Sequence, residues 1–324
     1  MNNSVSVVIS TYNGAAFIAD ALRSVFGQTH QPDEIIVVDD GSADETPAVV
    51  AAIANGAPIP IKFTRLSTNS GGPSRPLNTG ISLARGDIIA LLDQDDLMRP
   101  RRIEVQLKSI SQSPECSLAI GRFSIMGNAE GDMTPIWPTP QFSDLTGQLS
   151  VDAEFSIPDS KAAFLALMIK NFAGSSSNFC FTKESWRRIG GFDETIKTCV
   201  DLDFILKAVL SGPILIINET LFDYRWRSES LNHSNARKTD LELAVVRLRT
   251  AFAKPEWAGE RRRALEDDAV HVARLALRLG DLAGVALVLK TFLRNGGLTT
   301  AKTFLSRIRR RGKHLNTKGE PSVN

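Results

Sequence analysis

Through the first hundred residues the hydrophobic positions fall into two alternating patterns. Short, unbroken apolar runs, "SVSVVIS" (4–10), "DEIIVVDD" (33–40), "PIKFTRL" (60–66) and "DIIALLD" (87–93), read as strands buried on both faces. Between them "GAAFIADALRSVFGQ", "SADETPAVVAAIANG" and "GGPSRPLNTGISLARG" carry apolar residues at helical spacing, the second predicted to start from a cap at Ser42. Strands alternating with helices predict a doubly wound, Rossmann-like α/β domain whose mostly parallel sheet is flanked by helices.

Beyond residue 112 the pattern loosens. "TPIWPTPQFSD" (134–144) reads as a long loop, of the kind that covers a binding site. "DSKAAFLALMIKNF" and "KESWRRIGGFDETI" read as helices, the latter broken at Gly190-Gly191. "DLDFILKAVLSG" (201–212) is an amphipathic helix, and "PILIIN" and "LFDYRW" are two strands. From residue 239 Leu, Ala and Arg recur at helical spacing, predicting helices at 239–253, 258–279, 282–294 and 298–310. The predicted organisation is an α/β domain over 1–235, with halves 1–112 and 113–235, and a C-terminal helical extension over 236–324 that ends in a basic tail.

Composition adds exclusions. The 324 residues are 43% hydrophobic and 23% charged with a net charge of +2, which does not suit a general polyanion binder, so no nucleic-acid partner is expected. Cys116, Cys180 and Cys199 form no C-x-x-C pair, against a disulfide scaffold or zinc site. His30, His233, His271 and His314 show no ligand spacing, and there is no G-x-S-x-G elbow. The N-terminus has no basic region before its apolar run, and no apolar stretch reaches the roughly 18 residues of a membrane span. A cytoplasmic protein is expected, peripheral on the inner face of the membrane at most.

In such sheets ligands bind beyond the carboxyl ends of the strands. Three polar clusters follow predicted strands: Thr11-Tyr12-Asn13, Asp39-Asp40-Gly41-Ser42, and Asp93-Gln94-Asp95-Asp96. The last packs three carboxylates into four positions. Asp93 and Asp95, two apart on an extended chain, point to one side and suit a hard divalent ion such as Mn²⁺ or Mg²⁺. The competing reading is an acidic helix start, which suits Asp96 equally well. Asp39 can accept from a base or ribose, whereas Asp40 fits a turn. The loop "NSGGPSRPLNTG" (69–80) matches neither a Walker nor a dinucleotide motif, although its Arg75 can reach a phosphate. Asp201 and Asp203 open a helix, where either a general base or a cap is possible.

Together "VSVVISTYNG", "IIVVDDGSADET", "NSGGPSRPLNTGI", "GDIIALLDQDD", "GGFDE" and "DLDF", in this order, resemble the family 2 glycosyltransferases of GT-A fold over residues 4–230. The resemblance implies an inverting transfer from a nucleotide diphosphate sugar, UDP-linked by expectation, to a saccharide or lipid-linked acceptor in polysaccharide synthesis. It implies that Thr11, Tyr12, Asn13 and Asp39 hold the base, with Arg75 on the nucleotide as well. Asp93 would lie near the ribose, Asp95 would hold the metal, and Asp201 would be the catalytic base. The acceptor and donor-sugar side would include Asp96, Gly191, Phe192, Asp193, Arg225 and Arg227. Two departures stand out. Val200 replaces the Glu common before the base, which keeps Asp203 as a rival, and Arg227 stands where many members have His.

Two other readings are open: a non-catalytic nucleotide-sugar binder of the same fold, and a nucleotidyltransferase, which usually needs a basic N-terminal loop that "STYNGAAF" lacks. In "LTTAKTFLSRIRRRGK" the stripe Leu298, Ala301, Leu305 and Ile308 opposes basic residues, as in helices that lie on anionic membranes. A packed helix with a solvated basic face fits the same pattern.

Overall fold

The computed structural model describes residues 4–126, 154–230, 236–259 and 261–310. The expected loop at 134–144 lies outside them. Chain contacts separate into two units, Met1–His233 and Ser234–Asn324.

The first unit is built on one mixed sheet. Its leading strands are β1 (Val5–Thr11), β2 (Glu34–Asp39), β3 (Ile61–Arg65) and β4 (Ile88–Asp93), all parallel, in the order β3-β2-β1-β4. Every residue of β1 is buried, as expected of a strand covered on both faces. The helices α1 (Ile18–Phe26), α2 (Thr46–Ala54) and α3 (Ser74–Leu83) make the crossovers. On α3, a Cβ at Gly80 would stand 2.4 Å from Val8 Cγ1, so glycine lets this helix lie close on the sheet.

The chain steps outward from β1 to β2 and β3, then returns to place β4 on the other side of β1. The crevice at that reversal, beyond the carboxyl ends of β1 and β4, is where a doubly wound sheet takes its ligand.

The sheet continues past β4 through strands that period-2 and apolar-run reasoning did not mark: β5 (Leu97–Met98), β6 (Leu118–Met126), β7 (Phe155–Ser156) and β8 (Cys180–Thr182). The two strands expected at 213–218 and 221–226 are one, β9 (Ile214–Arg225). It runs parallel to β6 with register shifts at Gly121–Phe123, and such irregularity lets one long strand change its facing side midway. Around it sit α4 (Arg102–Gln112), α5 (Ser160–Leu167), α6 (Lys183–Ile189) and α7 (Val200–Ser211). Ser42 does not cap α2, whose first residue is Thr46; its hydroxyl turns instead to Asp39.

The second unit contains α8 (Ala236–Ala253), α9 (Pro255–Ala258), α10 (Arg261–Arg278) and α11 (Leu282–Arg310). The helices expected at 282–294 and 298–310 fall within one helical run, α11. Yet the rings of Phe292 and Phe304 stack with centroids 4.4 Å apart. Twelve residues along a straight helix span about 18 Å, so the axis folds back between them. The glycine pair at 296–297 lies in that interval, a common site of sharp kinks. Phe304 and Ala301 are buried, so the stripe assigned to a membrane-lying helix is at least partly a packing face; Leu305 is exposed, and the Leu298 side chain lies outside the described residues. Among the described residues no helix is long and apolar enough to cross a membrane.

Candidate active site

Sheet register aligns the polar strand ends. Ser10 is paired with Asp93 and Thr11 with Asp39, so the β1, β2 and β4 termini form one edge. Gln94 closes the space between β1 and β4: its Oε1 accepts from Thr11 Oγ1 at 2.6 Å and from Tyr12 N at 2.8 Å, and its Nε2 donates to Tyr12 O at 3.1 Å. A Cβ on Gly14 would lie 2.3 Å from Gln94 Oε1, so only glycine leaves room for this contact. Asn13 adopts φ 48°, a conformation Asn tolerates better than most residues, and its amide donates to Ser42 Oγ at 2.8 Å.

Asp39 is fully buried. Its Oδ1 accepts from Ser42 N at 3.0 Å and from the Ser42 hydroxyl, and its Oδ2 lies 3.3 Å from Arg65 Nε. Asp40, expected to serve a turn, instead holds the loop before α3, accepting from Ser70 N with both oxygens at 3.0 Å and from Ser70 Oγ at 2.9 Å. Burial raises its pKa against those hydrogen bonds, with the exposed Arg75 opposing the rise.

The acidic run after β4 divides into distinct tasks. Asp93 Oδ1 accepts from Ser176 Oγ at 2.8 Å, and burial together with the charge of Asp95 pushes its pKa up to about 6. Asp96 is buried and spends both oxygens on the protein: Oδ1 accepts from Arg225 N at 2.8 Å, Oδ2 from Ser177 Oγ at 2.6 Å and Ser175 Oγ at 3.3 Å. Its carboxyl pKa is well above the usual range because of burial and its acidic neighbours. Asp96 is neither a helix cap, α4 being preceded by Arg101, nor exposed on a sugar-facing surface. Asp95 is held by an ion pair instead. Its Oδ2 meets Arg227 Nη2 at 2.5 Å, and its backbone carbonyl accepts from Arg225 Nε at 2.9 Å.

No group of three or more His, Cys, Asp or Glu side chains poised for a metal occurs among the described residues. A lone carboxylate does suit Mg²⁺ or Mn²⁺ when water and phosphate oxygens complete the shell. Asp95 therefore fits a divalent ion brought in with a diphosphate, provided that Arg227 gives up the shared oxygen.

Asp201 sits in the first turn of α7, after the N-cap residue Cys199. Its Oδ2 accepts from Asn171 Nδ2 at 2.7 Å. Burial raises its pKa to about 6, and the charge of Asp93 adds to the rise, which puts the two carboxylates within electrostatic reach of each other. Asp203 is buried and ion-paired with Lys207 one turn on, at 3.1 Å. Of the two, Asp201 is the less buried.

The "GGFDE" segment is mostly structural. Gly190 ends α6 at φ 88° and Gly191 follows at φ 68°. Gly191 O accepts from Lys207 Nζ at 2.6 Å, and Asp193 caps Thr195 N at 2.9 Å. Phe192 is buried against Phe204, ring centroids 4.2 Å apart, so the sugar-side surface expected of it is not available. Lys197 links this segment to the loop before α3, donating to Glu194 O at 2.6 Å and Ser70 O at 2.8 Å.

Several participants were not singled out from the sequence. "GSSSN" (174–178) clamps Asp93 and Asp96; three serines before an Asn, after an acidic run elsewhere, were the available signal. Phe17 lies beneath two guanidinium groups, Arg225 at 5.4 Å and Arg227 at 4.6 Å from its centroid. Burial raises the Tyr224 phenol pKa, and so do the charges of Asp96, Asp95, Asp93 and Asp201, which places a protonated hydroxyl in the field of all four.

The family model for "Glycosyl transferase family 2" matches residues 6–185, more than half the chain. The chain belongs to this family. Among relatives in the family, glycosyltransferase GlyG of Streptococcus pneumoniae is 29% identical over 257 residues, covering 76% of this chain and 77% of that one. Succinoglycan biosynthesis protein ExoO of Rhizobium meliloti is 45% identical over 99 residues, 31% of this chain and 27% of ExoO. Uncharacterized glycosyltransferases of Nostoc and Rickettsia are matched over 30% to 63% of their own length, so this chain spans less than two thirds of each. S. aureus TarS 1–349, solved in complex with UDP-GlcNAc, superimposes with a TM-score of 0.60 at 19% identity, over 96% of this chain and 83% of that one. That likeness establishes the GT-A fold of mixed sheet and flanking helices.

Proposed function

We propose that this chain transfers a sugar from a nucleotide diphosphate sugar, a UDP-sugar by preference, to a hydroxyl of a saccharide or lipid-linked acceptor, with inversion at the anomeric carbon. The observation that carries the proposal is the alignment of the β1, β2 and β4 ends, which brings Thr11, Asp39 and Asp93 to one edge at the strand reversal with Asp95 just beyond. The complex of TarS with UDP-GlcNAc supports the choice of donor, and the name of ExoO supports polysaccharide assembly as its setting.

In this mechanism the Thr11–Asn13 edge and Asp39 bind the base, and Asp93 takes the ribose. A divalent ion on Asp95, when bound, supplies positive charge for the departing diphosphate. Asp201, raised to about 6, is ionised at neutral pH yet basic enough to take the proton of the attacking hydroxyl. Asn171 fixes which oxygen of Asp201 faces that proton. A single displacement from the face opposite the nucleotide inverts the configuration.

The test is UDP release from a panel of UDP-sugars, with the product anomer read by NMR. Turnover that Asp201→Asn abolishes while UDP binding persists is the expected result. Full turnover in that variant, or a retained anomer, would sink the mechanism.

We also propose that the basic run "RIRRRGKHLNTK" (307–318) touches an anionic membrane surface. Phe304 is buried and Arg307 is paired with Glu266 and Asp267, so the truncation that tests this starts at 309. Sedimentation with phosphatidylserine vesicles should vanish on that truncation; sedimentation that survives it refutes the contact.

A further inference from the structure

Arg227 occupies the place where a cation is expected. Its Nη2 stands 2.5 Å from Asp95 Oδ2, with the two side chains only 24% and 16% exposed. Beside it, Arg225 donates from Nε to Asp95 O, and both guanidinium groups lie over the single ring of Phe17. Two like charges gathered about one aromatic ring are unfavourable unless negative charge lies between or beside them. Asp95 supplies one such charge, while Arg227 Nε, although buried, has no hydrogen-bond partner.

A divalent ion on Asp95 would stand next to this guanidinium, and two positive centres on one carboxylate repel each other. A diphosphate removes the conflict: its oxygens match the planar fork of a guanidinium, and they also coordinate the ion. We infer that Arg227 is a displaceable counter-cation, which closes Asp95 in the free protein and moves onto the diphosphate when ion and nucleotide enter together. Phe17 keeps the guanidinium beside the site in both positions. This rests on the nucleotide-diphosphate reading of the crevice and goes beyond it in one respect. The chain binds the ion poorly by itself, and ion and nucleotide raise each other's affinity by the same factor.

The experiment titrates Mn²⁺ alone, read as free Mn²⁺ by electron paramagnetic resonance, and UDP with and without Mn²⁺ by calorimetry. It uses the full chain as wild type, Arg227→Gln, Arg227→Lys and Asp95→Asn. In the wild type, UDP should tighten Mn²⁺ binding by about tenfold or more. Arg227→Gln should tighten Mn²⁺ alone by about tenfold and weaken UDP in the presence of Mn²⁺ by at least as much, with Arg227→Lys between. These opposite signs are not what a purely structural arginine would produce. Mn²⁺ affinity unchanged or weakened in Arg227→Gln, with UDP binding still lost in Asp95→Asn, overturns the counter-cation role and leaves the nucleotide site standing. Should Arg227→Gln not fold, the absence of coupling between UDP and Mn²⁺ in the wild type overturns it equally. A wild type that binds no UDP with or without Mn²⁺ overturns the nucleotide reading, and this inference with it.

Discussion

Asn171 Nδ2 donates to Asp201 Oδ2 at 2.7 Å, which gives a carboxyl raised to about 6 a fixed orientation and a donor that favours its charged form. Loss of the donor should raise that pKa further. Asn171→Ala is therefore expected to move the acid limb of the kcat/KM profile upward by about one pH unit, with a plateau lowered by roughly tenfold from lost orientation. A limb that does not move would remove Asp201 from the role of base.

The same carboxyl makes a signed prediction about stability. Its folded pKa, about 6, exceeds the unfolded value near 3.8, so the native state holds the extra proton between those values. Stability contributed by Asp201 is therefore present at low pH and lost as pH rises from about 4 to 6. Asp201→Asn, which never ionises, should be more stable than wild type at pH 7 by on the order of 2–3 kcal/mol, with the gap closing near pH 4. Urea titrations at the two pH values check this.

Ser177 holds the acidic loop from the other side. Its Oγ donates to Asp96 Oδ2 at 2.6 Å and accepts from Asp93 N at 2.8 Å. Ser177→Ala leaves a buried amide and a buried carboxyl short of a partner, at a cost of about 2–3 kcal/mol. The urea midpoint should fall accordingly, and UDP affinity with it, because both aspartates lose their anchor.

Gly14→Ala tests the contact between β1 and β4 directly. The new Cβ would crowd Gln94 Oε1 at 2.3 Å and Thr11 Oγ1 at 2.6 Å. Overpacking of this kind costs about 1–3 kcal/mol. Expelling Gln94 should weaken UDP by about tenfold or more in calorimetry while the far-UV circular dichroism stays unchanged.

How far the sequence revealed this arrangement depended on where the strands lie. β1, β2 and β4 are buried on both faces, so their runs were legible and their polar ends pointed to one edge. β6 was missed because its last residues are only partly buried and carry Arg122 and Ser124 among apolar neighbours. β9 looked like two strands because Asn218, Glu219 and Thr220 interrupt its apolar run, at a register shift that only pairing with β6 explains. Asp93, Asp95 and Asp96 were visible as a cluster but not as separate tasks. Which of them faces inward is decided by serines some eighty residues away, and by the amide of Arg225.

Lys197 ties Ser70 O to Glu194 O, and Gly72 has no room for a side chain, its added Cβ falling 2.9 Å from Lys197 Cα. A few residues further on begins the helix that carries Asp201, while Ser70 itself is gripped by Asp40 at the end of β2. These links stand in series, like the members of a linkage: Asp40 holds Ser70, and Lys197 joins Ser70 to Glu194, so the end of β2 and the approach to α7 are braced against each other.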